Sequence, residues 1–529
     1  MNPSTAVATW LVDELVARGV RQAVVCPGSR NAPLLFALAA HPALRLHSRI
    51  DERSAGFLAL GIAKTSHRPV PVVTTSGTAA ANLHPSVLEA AHAGVPLLAI
   101  TADRPAALRG TGANQTTDQV RIFGDAATCA DLATTDAAAL DTVWTTDGPV
   151  HLNVQLSEPL VPEPEGPTGG DAWVEEGERR DPLAGPARRT VLALGPRTVV
   201  VAGDDAGPRA RILAQDAGWP LLAEPTSGSR NGDTPIRTYR LLLGTALADR
   251  IERVVVCGHP TLSRPVSRLL AREDVDVVSV RPRGRWPGRP FPVDAEHDAV
   301  AVEGSDDPAW FVAWRSADDA LAARLDAFVA DQPGLTPYDV AAEVNAAVPP
   351  GGLLFVGASN PIRDLDLMAR PYPVGERRLL LANRGLAGID GTLSSAIGAV
   401  LGRPHTTRAL LHVGDVTFLH DLNGLLVGPA EERPDLTIVV ANDDGGSIFA
   451  TLEQGGAAFA DRYEKLFGTP HGADLAALCQ GYGVPHWRVT DRAELAHALA
   501  SPNGGIEVVE ARIGRSDRRA LDEAIRSLA

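Results

Sequence analysis

The sequence predicts an α/β protein made of three doubly wound parallel-sheet domains. Three observations predict it. Short β-branched runs alternate with Ala-rich helical stretches along the whole chain, the pattern of βαβ units. Several of these runs end in Gly-, Ser- or Thr-rich turns, which is where open α/β sheets bind ligands. At about 150 residues per domain, the 529 residues allow three or four domains, enough chain to bury large cores without disulfides or structural metals.

In the first stretch the strands are expected at Gln22–Cys26, Val70–Thr74, Leu97–Thr101 and Val150–Val154, with helices at Ala32–Ala40 and Glu52–Thr65 between them. The turns CPGSR, TTSGT and TADRP close the first three. Residues 161–190 are rich in Pro, Gly and charge and read as a connector. The second stretch gives strands at Arg197–Ala202, Pro220–Ala223, Arg253–Cys257 and Val275–Val280, then a polar, Pro-containing region and a helix Ala309–Ala330. Thr336 reads as the N-cap of the next helix, with Pro337 at its first position. The third stretch gives strands at Leu353–Val356, Arg378–Ala382, Ala409–His412, Thr437–Ala441 and Ile506–Glu510. The expected division is therefore residues 1–165, a linker 166–190, residues 191–332 and residues 333–529. The first and third stretches could be similar folds, although their sequences do not show it directly.

Composition narrows the function. Hydrophobic residues make up 45% and charged residues 21%, the ordinary soluble globular range, which excludes wholesale disorder. No run approaches ~18 consecutive apolar residues, so no transmembrane helix or stable membrane insertion is expected. The start, MNPSTAVATWLVDELVARGV, carries Asp13 and Glu14 on an amphipathic pattern and reads as a first helix, not a signal peptide. A net charge of −15 argues against a nucleic-acid partner. Lys64 and Lys465 are the only lysines, which argues against a Schiff-base lysine and turns attention to arginines as carboxylate or phosphate clamps. Cys26, Cys129, Cys257 and Cys479 are far apart and form no CxxC pair, as expected of a cytoplasmic chain.

The strongest chemical signal is in the third stretch. The run ALLHV leads into Gly414-Asp415 and then VTFLHDLNGLL, which reads as a helix; the run LTIVVA ends in Asn442-Asp443-Asp444-Gly445-Gly446. If the two strands are adjacent and parallel, both oxygen-donor clusters lie at one sheet edge beside a helix start. That placement suits a divalent cation carrying a diphosphate, with glycines letting the backbone approach the phosphates. In the first stretch, Glu52 follows an apolar run and opens a helix in HSRIDERSAGFLALGIAK, where a poorly solvated carboxylate could exchange protons.

These segments resemble the thiamine diphosphate enzymes, whose diphosphate signature is GDG, a helix, then NN or ND before glycine. Here the third position is Val416, not glycine. The resemblance implies Asp415, the Asp443 side chain and the Gly445 carbonyl as ligands of Mg²⁺, with Mn²⁺ as an alternative. It also implies Gly414, Val416 and Ser447 at the cofactor, and Glu52 as the carboxylate that meets the aminopyrimidine ring. The run TTSGTAAANLHPSVLEAAHAGVPLLAITADRP fits the same superfamily. VVCPGSRNAPL, GTGANQTTDQVRIFGDAA, FVGASNPIRDLDL and LANRGLAGIDGTLSSAIG are similar, within it, to the SEPHCHC synthase family of menaquinone biosynthesis. That family implies decarboxylation of 2-oxoglutarate and 1,4-addition of the succinyl carbanion equivalent to isochorismate. Arg363 and Ser359 would hold the succinyl side. Arg30, Arg104, Arg264 and Arg384, with Ser29, Asn114 and Gln115, would hold isochorismate. Ile389 would prop the cofactor, and Ile448, Phe449 and Leu452 would wall the thiazolium. A homodimer with shared sites is implied, and a dimer of dimers is compatible with it. The rival reading is another thiamine diphosphate-dependent decarboxylase or carboligase, such as an acetolactate synthase-like enzyme. RPRGRWPGRP, with Arg281, Arg283, Arg285 and Arg289, reads as a solvated loop, with an anion site as the alternative.

Overall fold

The computed structural model describes residues 2–145, 147–162, 189–286 and 288–529, so of the expected linker only residues 189 and 190 are described. The chain divides into two compact units. One comprises Met1–Arg179, Gly385–Pro404 and His420–Pro434; the other comprises Arg180–Arg384, His405–Leu419 and Asp435–Ala529.

The first unit holds a parallel sheet of β1 (Gln22–Val25), β2 (Arg45–Ser48), β3 (Val70–Thr74), β4 (Leu97–Asp103), β5 (Thr128–Leu132) and β6 (Val150–Gln155), in the order β2-β1-β3-β4-β6-β5. The central strands VPVVT and LLAITAD are buried along their whole length, as strands covered on both faces must be. The sequence pattern missed β2 and β5. Both are edge strands, half exposed, and their polar residues break the apolar run.

The helix Glu52–Ser66 carries ten consecutive buried residues, Ser54 to Ala63. It crosses the helix Thr392–Leu401 at backbone contact: a Cβ at Gly61 would stand 2.0 Å from Ser395 O, and one at Gly398 2.1 Å from Leu58 O. The small residues of SAGFLALGIA and SSAIGAVL are thus a packing requirement. Asp421 ties the crossing, accepting from Ser394 N at 2.7 Å and from the hydroxyls of Ser394 and Ser54 at 3.1 Å each. It is fully buried, and burial raises its pKa.

The second unit holds two large parallel sheets. One is formed by β8 (Thr198–Ala202), β9 (Leu221–Ala223), β10 (Arg253–Cys257), β11 (Asp276–Val280) and β12 (Ala295–His297), in the order β12-β11-β10-β8-β9; β7 (Thr190–Val191) and β13 (Val300–Ala301) make a separate parallel pair. The other is formed by β14 (Leu353–Val356), β15 (Leu379–Leu381), β16 (Ala409–Gly414), β17 (Leu436–Asn442), β18 (His486–Val489) and β19 (Ile506–Arg512), in the order β15-β14-β16-β17-β19-β18. Counted along the chain this is the order of the first sheet, so the first and third stretches do share a topology. The edge strands β12 and β18, half exposed, again escaped the sequence pattern. Thr336 caps the helix Pro337–Ala346 in a capping box with Asp339. The run after Gly414 is not one helix: Asp415–His420 is helical and Leu422–Leu425 is a separate 3₁₀ turn.

The arginines of RPRGRWPGRP are engaged locally. Arg281 pairs with Glu296 and Asp298, Arg283 with Asp205, and Arg289 reaches Ser279 Oγ at 3.1 Å.

Asp421→Ala strips the acceptor from three buried donors. It is expected to destabilise the chain by about 3 kcal/mol, read as a lowered urea midpoint against Asp421→Asn, which keeps an acceptor. Equal midpoints for Asp421→Ala and wild type would contradict the role given to this carboxylate.

Candidate active site

Strands β16 and β17 run side by side in parallel, with Gly414 opposite Ala441, so Asp415 and the Asn442–Gly446 turn leave the sheet together. Asp415 is buried, at 2% exposure. Its Oδ1 accepts from Val416 N at 2.7 Å and its Oδ2 from Gly445 N at 2.9 Å. Burial first, and then the Asp415 carboxylate, push the Asp443 carboxyl up to about 7. A carboxyl group raised beside a second carboxylate is what a cation between the two would relieve. Among the described residues no group of three or more His, Cys, Asp or Glu side chains is arranged to hold a metal. A hard cation here would therefore take two carboxylates and a backbone carbonyl, and complete its shell with ligand oxygens or water.

The backbone fits a closely approaching ligand. A side chain at Gly414 would meet no atom of the described residues. Gly445 has φ +148° and a Cβ there would lie 2.1 Å from Gly468 O, so only glycine fits the turn. Arg515 Nη1 donates to Asp444 O at 2.5 Å and fixes the same turn. Val416 in place of the motif glycine is half buried and leaves these contacts intact.

The same unit collects arginines. Ser359 has φ +72° and precedes the helix Asn360–Met368; Arg363 Nη1 donates back to Ser359 O at 2.6 Å. Asn360 Nδ2 donates to Ser447 Oγ at 2.8 Å, which joins this helix start to the turn after Asp443. Burial, and then the guanidiniums of Arg384 and Arg240, lower the Arg363 pKa, so three cations face one another. Arg384 is 3% exposed and donates to Thr261 Oγ1 at 2.7 Å. Arg264 stands apart from these: it is exposed and paired with Glu453 at 2.6 Å. Ile448, Phe449 and Leu452 are half buried, with the Phe449 ring 5.7 Å from Phe467.

In the first unit Glu52 opens its helix behind Asp51, which caps Arg53 N and Ser54 N. Its carboxylate accepts from Asn82 Nδ2 at 3.4 Å and is half buried. Arg104 is buried and donates to Ser76 Oγ at 2.9 Å and Gln115 O at 2.8 Å; Gln115 Nε2 returns to Ser76 O at 3.0 Å. Arg30 lies close by, since burial and then the Arg104 guanidinium lower its pKa. Ser29 and Asn114 are exposed. Ile389 is half buried in a loop that ends at Gly391, whose φ of +52° lets the backbone lie on the Phe57 ring.

Sequence reasoning missed three groups at these places. Glu89, buried on the helix His84–Ala93, accepts from Gly385 N and Leu386 N at 2.7 Å each and so anchors the start of the Ile389 loop; a lone acid in an Ala-rich run was its signal. His471 Nε2 lies 3.1 Å from Asp415 Oδ2, while its Nδ1 accepts from Ala473 N at 3.0 Å. Nε2 therefore carries the proton, and no local motif marks this residue. The third is Glu224, buried beside the Arg384 loop.

A parallel sheet with paired carboxylates and glycine turns at neighbouring strand ends is a frame that can hold a diphosphate. The comparisons agree. Residues 5–122 match the family of the thiamine pyrophosphate enzyme N-terminal TPP binding domain, and residues 366–509 match the C-terminal TPP binding domain. A 2-succinyl-5-enolpyruvyl-6-hydroxy-3-cyclohexene-1-carboxylate synthase of a Nocardioides species is 61% identical, over 99% of this chain and 98% of that one. The synthases of Kineococcus radiotolerans (48% identical, 96% of each chain) and Rhodococcus erythropolis (46% identical, 100% of each) are similar along their whole length. The chain belongs to this synthase family of the thiamine pyrophosphate enzymes.

The folded value of Asp443 lies above the unfolded one near 3.8, so the folded chain binds this proton more tightly. The stability it contributes is full below about 3.8 and is lost as pH rises through about 7. Metal-free wild type is expected to lose about 2 kcal/mol relative to Asp443→Asn between pH 5 and pH 8, measured by urea unfolding. Parallel pH curves for the two proteins would contradict the assignment.

Proposed function

We propose that this chain joins 2-oxoglutarate to isochorismate with loss of CO₂, as a thiamine diphosphate- and Mg²⁺-dependent synthase of menaquinone biosynthesis, with Mn²⁺ able to replace Mg²⁺. The observation that carries the reading is the carboxylate pair of buried Asp415 and half-buried Asp443, in one unit with half-buried Arg363 and buried Arg384. The names of the full-length relatives support the substrate assignment.

Bound thiamine diphosphate supplies the nucleophilic carbon and the electron sink for decarboxylation. Asp415, Asp443 and the Gly445 carbonyl would hold the metal, and Gly414, Val416 and Ser447 would contact the cofactor. Glu52 exchanges a proton with the aminopyrimidine ring. Ile389 props the cofactor, and Ile448, Phe449 and Leu452 keep water from the reacting carbon. Both substrates are dicarboxylates, which accounts for so many arginines, since the guanidinium fork matches a carboxylate with two parallel hydrogen bonds. Ser359 and Arg363 bind the succinyl carboxylate. Arg30, Arg104, Arg264 and Arg384, with Ser29, Asn114 and Gln115, bind isochorismate, and Gln115 places a proton near the new bond.

The domains are pyrimidine-binding (1–165), middle (191–332) and diphosphate-binding (333–529), joined by the linker 166–190. The working unit is a cytoplasmic homodimer whose sites are shared between subunits.

The test is a depletion assay. Isochorismate absorbance is expected to fall only when protein, thiamine diphosphate, Mg²⁺ and 2-oxoglutarate are all present, with the rate reduced at least about 100-fold in Glu52→Gln, the scale of general acid–base contributions. CO₂ release from pyruvate or 2-oxoglutarate without isochorismate loss would move the chain to another decarboxylase or carboligase activity.

A further inference from the structure

The carboxyl group of Glu224 has no part in the roles above, yet it lies in the same unit as Arg363 and Arg384. It follows β9 directly, opens the turn Pro225–Ser227 and is 3% exposed. Its Oε1 accepts from Leu262 N at 2.9 Å. The preceding residue, Thr261, supplies the hydroxyl that Arg384 Nη2 reaches at 2.7 Å. Glu224 and Arg384 therefore grip consecutive residues of one loop, the loop that leads into Arg264. Arg384 Nε, Ser263 Oγ and Thr226 Oγ1 are buried with no hydrogen-bond partner among the described residues. Buried polar atoms are seldom left so, and a guanidinium with a spare donor is what a carboxylate satisfies.

We propose that Glu224 is a positioning residue for substrate recognition: it seats the Thr261–Arg264 loop and sets how much positive charge Arg384 offers to a ligand carboxylate. This rests on the reading of Arg384 as a carboxylate clamp. The charged and titratable groups around Glu224 include Arg384, Arg363, Asp366, Asp204, Tyr239 and Arg230, whose Nη1 donates to Ala223 O at 2.9 Å. Burial pushes the Glu224 carboxyl up to about 8, with Arg384 opposing the shift. Below that pH the carboxyl is neutral and adds no negative charge beside Arg384. Above it the carboxylate competes for Arg384 and repels a dicarboxylate ligand.

The experiment is the KM for isochorismate at saturating 2-oxoglutarate, from pH 7 to pH 9, with the full chain loaded with thiamine diphosphate and Mg²⁺. Wild-type KM is expected to rise about tenfold across the interval with a smaller change in kcat, one charge–charge contact corresponding to roughly a decade in affinity. Glu224→Gln is expected to match wild type at pH 7 within about twofold and to lose the rise, while Glu224→Asp keeps it. A Glu224→Gln profile that still rises like wild type overturns the proposal. So does a flat wild-type profile, which needs no variant to fold. Arg384→Ala separates the two levels. If it leaves KM at pH 7 unchanged, the clamp reading itself fails; if it raises KM while Glu224→Gln keeps the wild-type rise from pH 7 to pH 9, the clamp stands and the role of Glu224 falls.

Discussion

Two carboxyl groups stand at the ends of neighbouring parallel strands, Asp415 buried and Asp443 half buried, and their proximity raises the second. The register of β16 against β17 fixes the pair. The turn that carries Asp443 is held from several directions: Asn442 Nδ2 donates to Glu510 at 2.7 Å, the backbone of Gly472 caps Asp444 at 2.8 Å, and Arg515 binds the Asp444 carbonyl. None of these contacts neutralises both acids. His471 donates one hydrogen bond to Asp415, and Asp443 is left raised. These contacts hold the two acids close together, where a loose turn would let them swing out to water.

The first unit solves a different problem with the same strand order. Its helix opens at a half-buried glutamate and is buried from Ser54 to Ala63. Small residues let the helices Glu52–Ser66 and Thr392–Leu401 approach at backbone distance, and Asp421 supplies the acceptors that their buried serines need. Ser76, Arg104 and Gln115 form a closed set of hydrogen bonds at the end of β3 and β4, so the arginine there is fixed in place rather than solvated.

How much of this was legible in the sequence follows from range. Central strands read clearly because burial on both faces leaves continuous apolar runs; β2, β5, β12 and β18 did not, because an edge strand keeps polar residues. Asp415 and Asp443 were legible as a pair because each follows its own apolar strand, on the condition that the two strands are adjacent and parallel, which they are. Glu89 and Glu224 act on loops hundreds or tens of residues away, and nothing near them in sequence names the partner. His471 lies 56 residues from Asp415 and is equally silent. Arg264 was legible as part of TLSRP, but its pairing with Glu453 was not, since a surface ion pair has no local pattern.

Central to the proposed function is that Asp415 and Asp443 bind thiamine diphosphate through a divalent cation. Calorimetric titration of the metal-stripped chain with thiamine diphosphate, with and without Mg²⁺, tests it most directly. The account predicts binding only with Mg²⁺ in wild type, and none in Asp415→Ala at the same concentrations although the variant remains folded. Equal binding without metal, or in the variant, would contradict it.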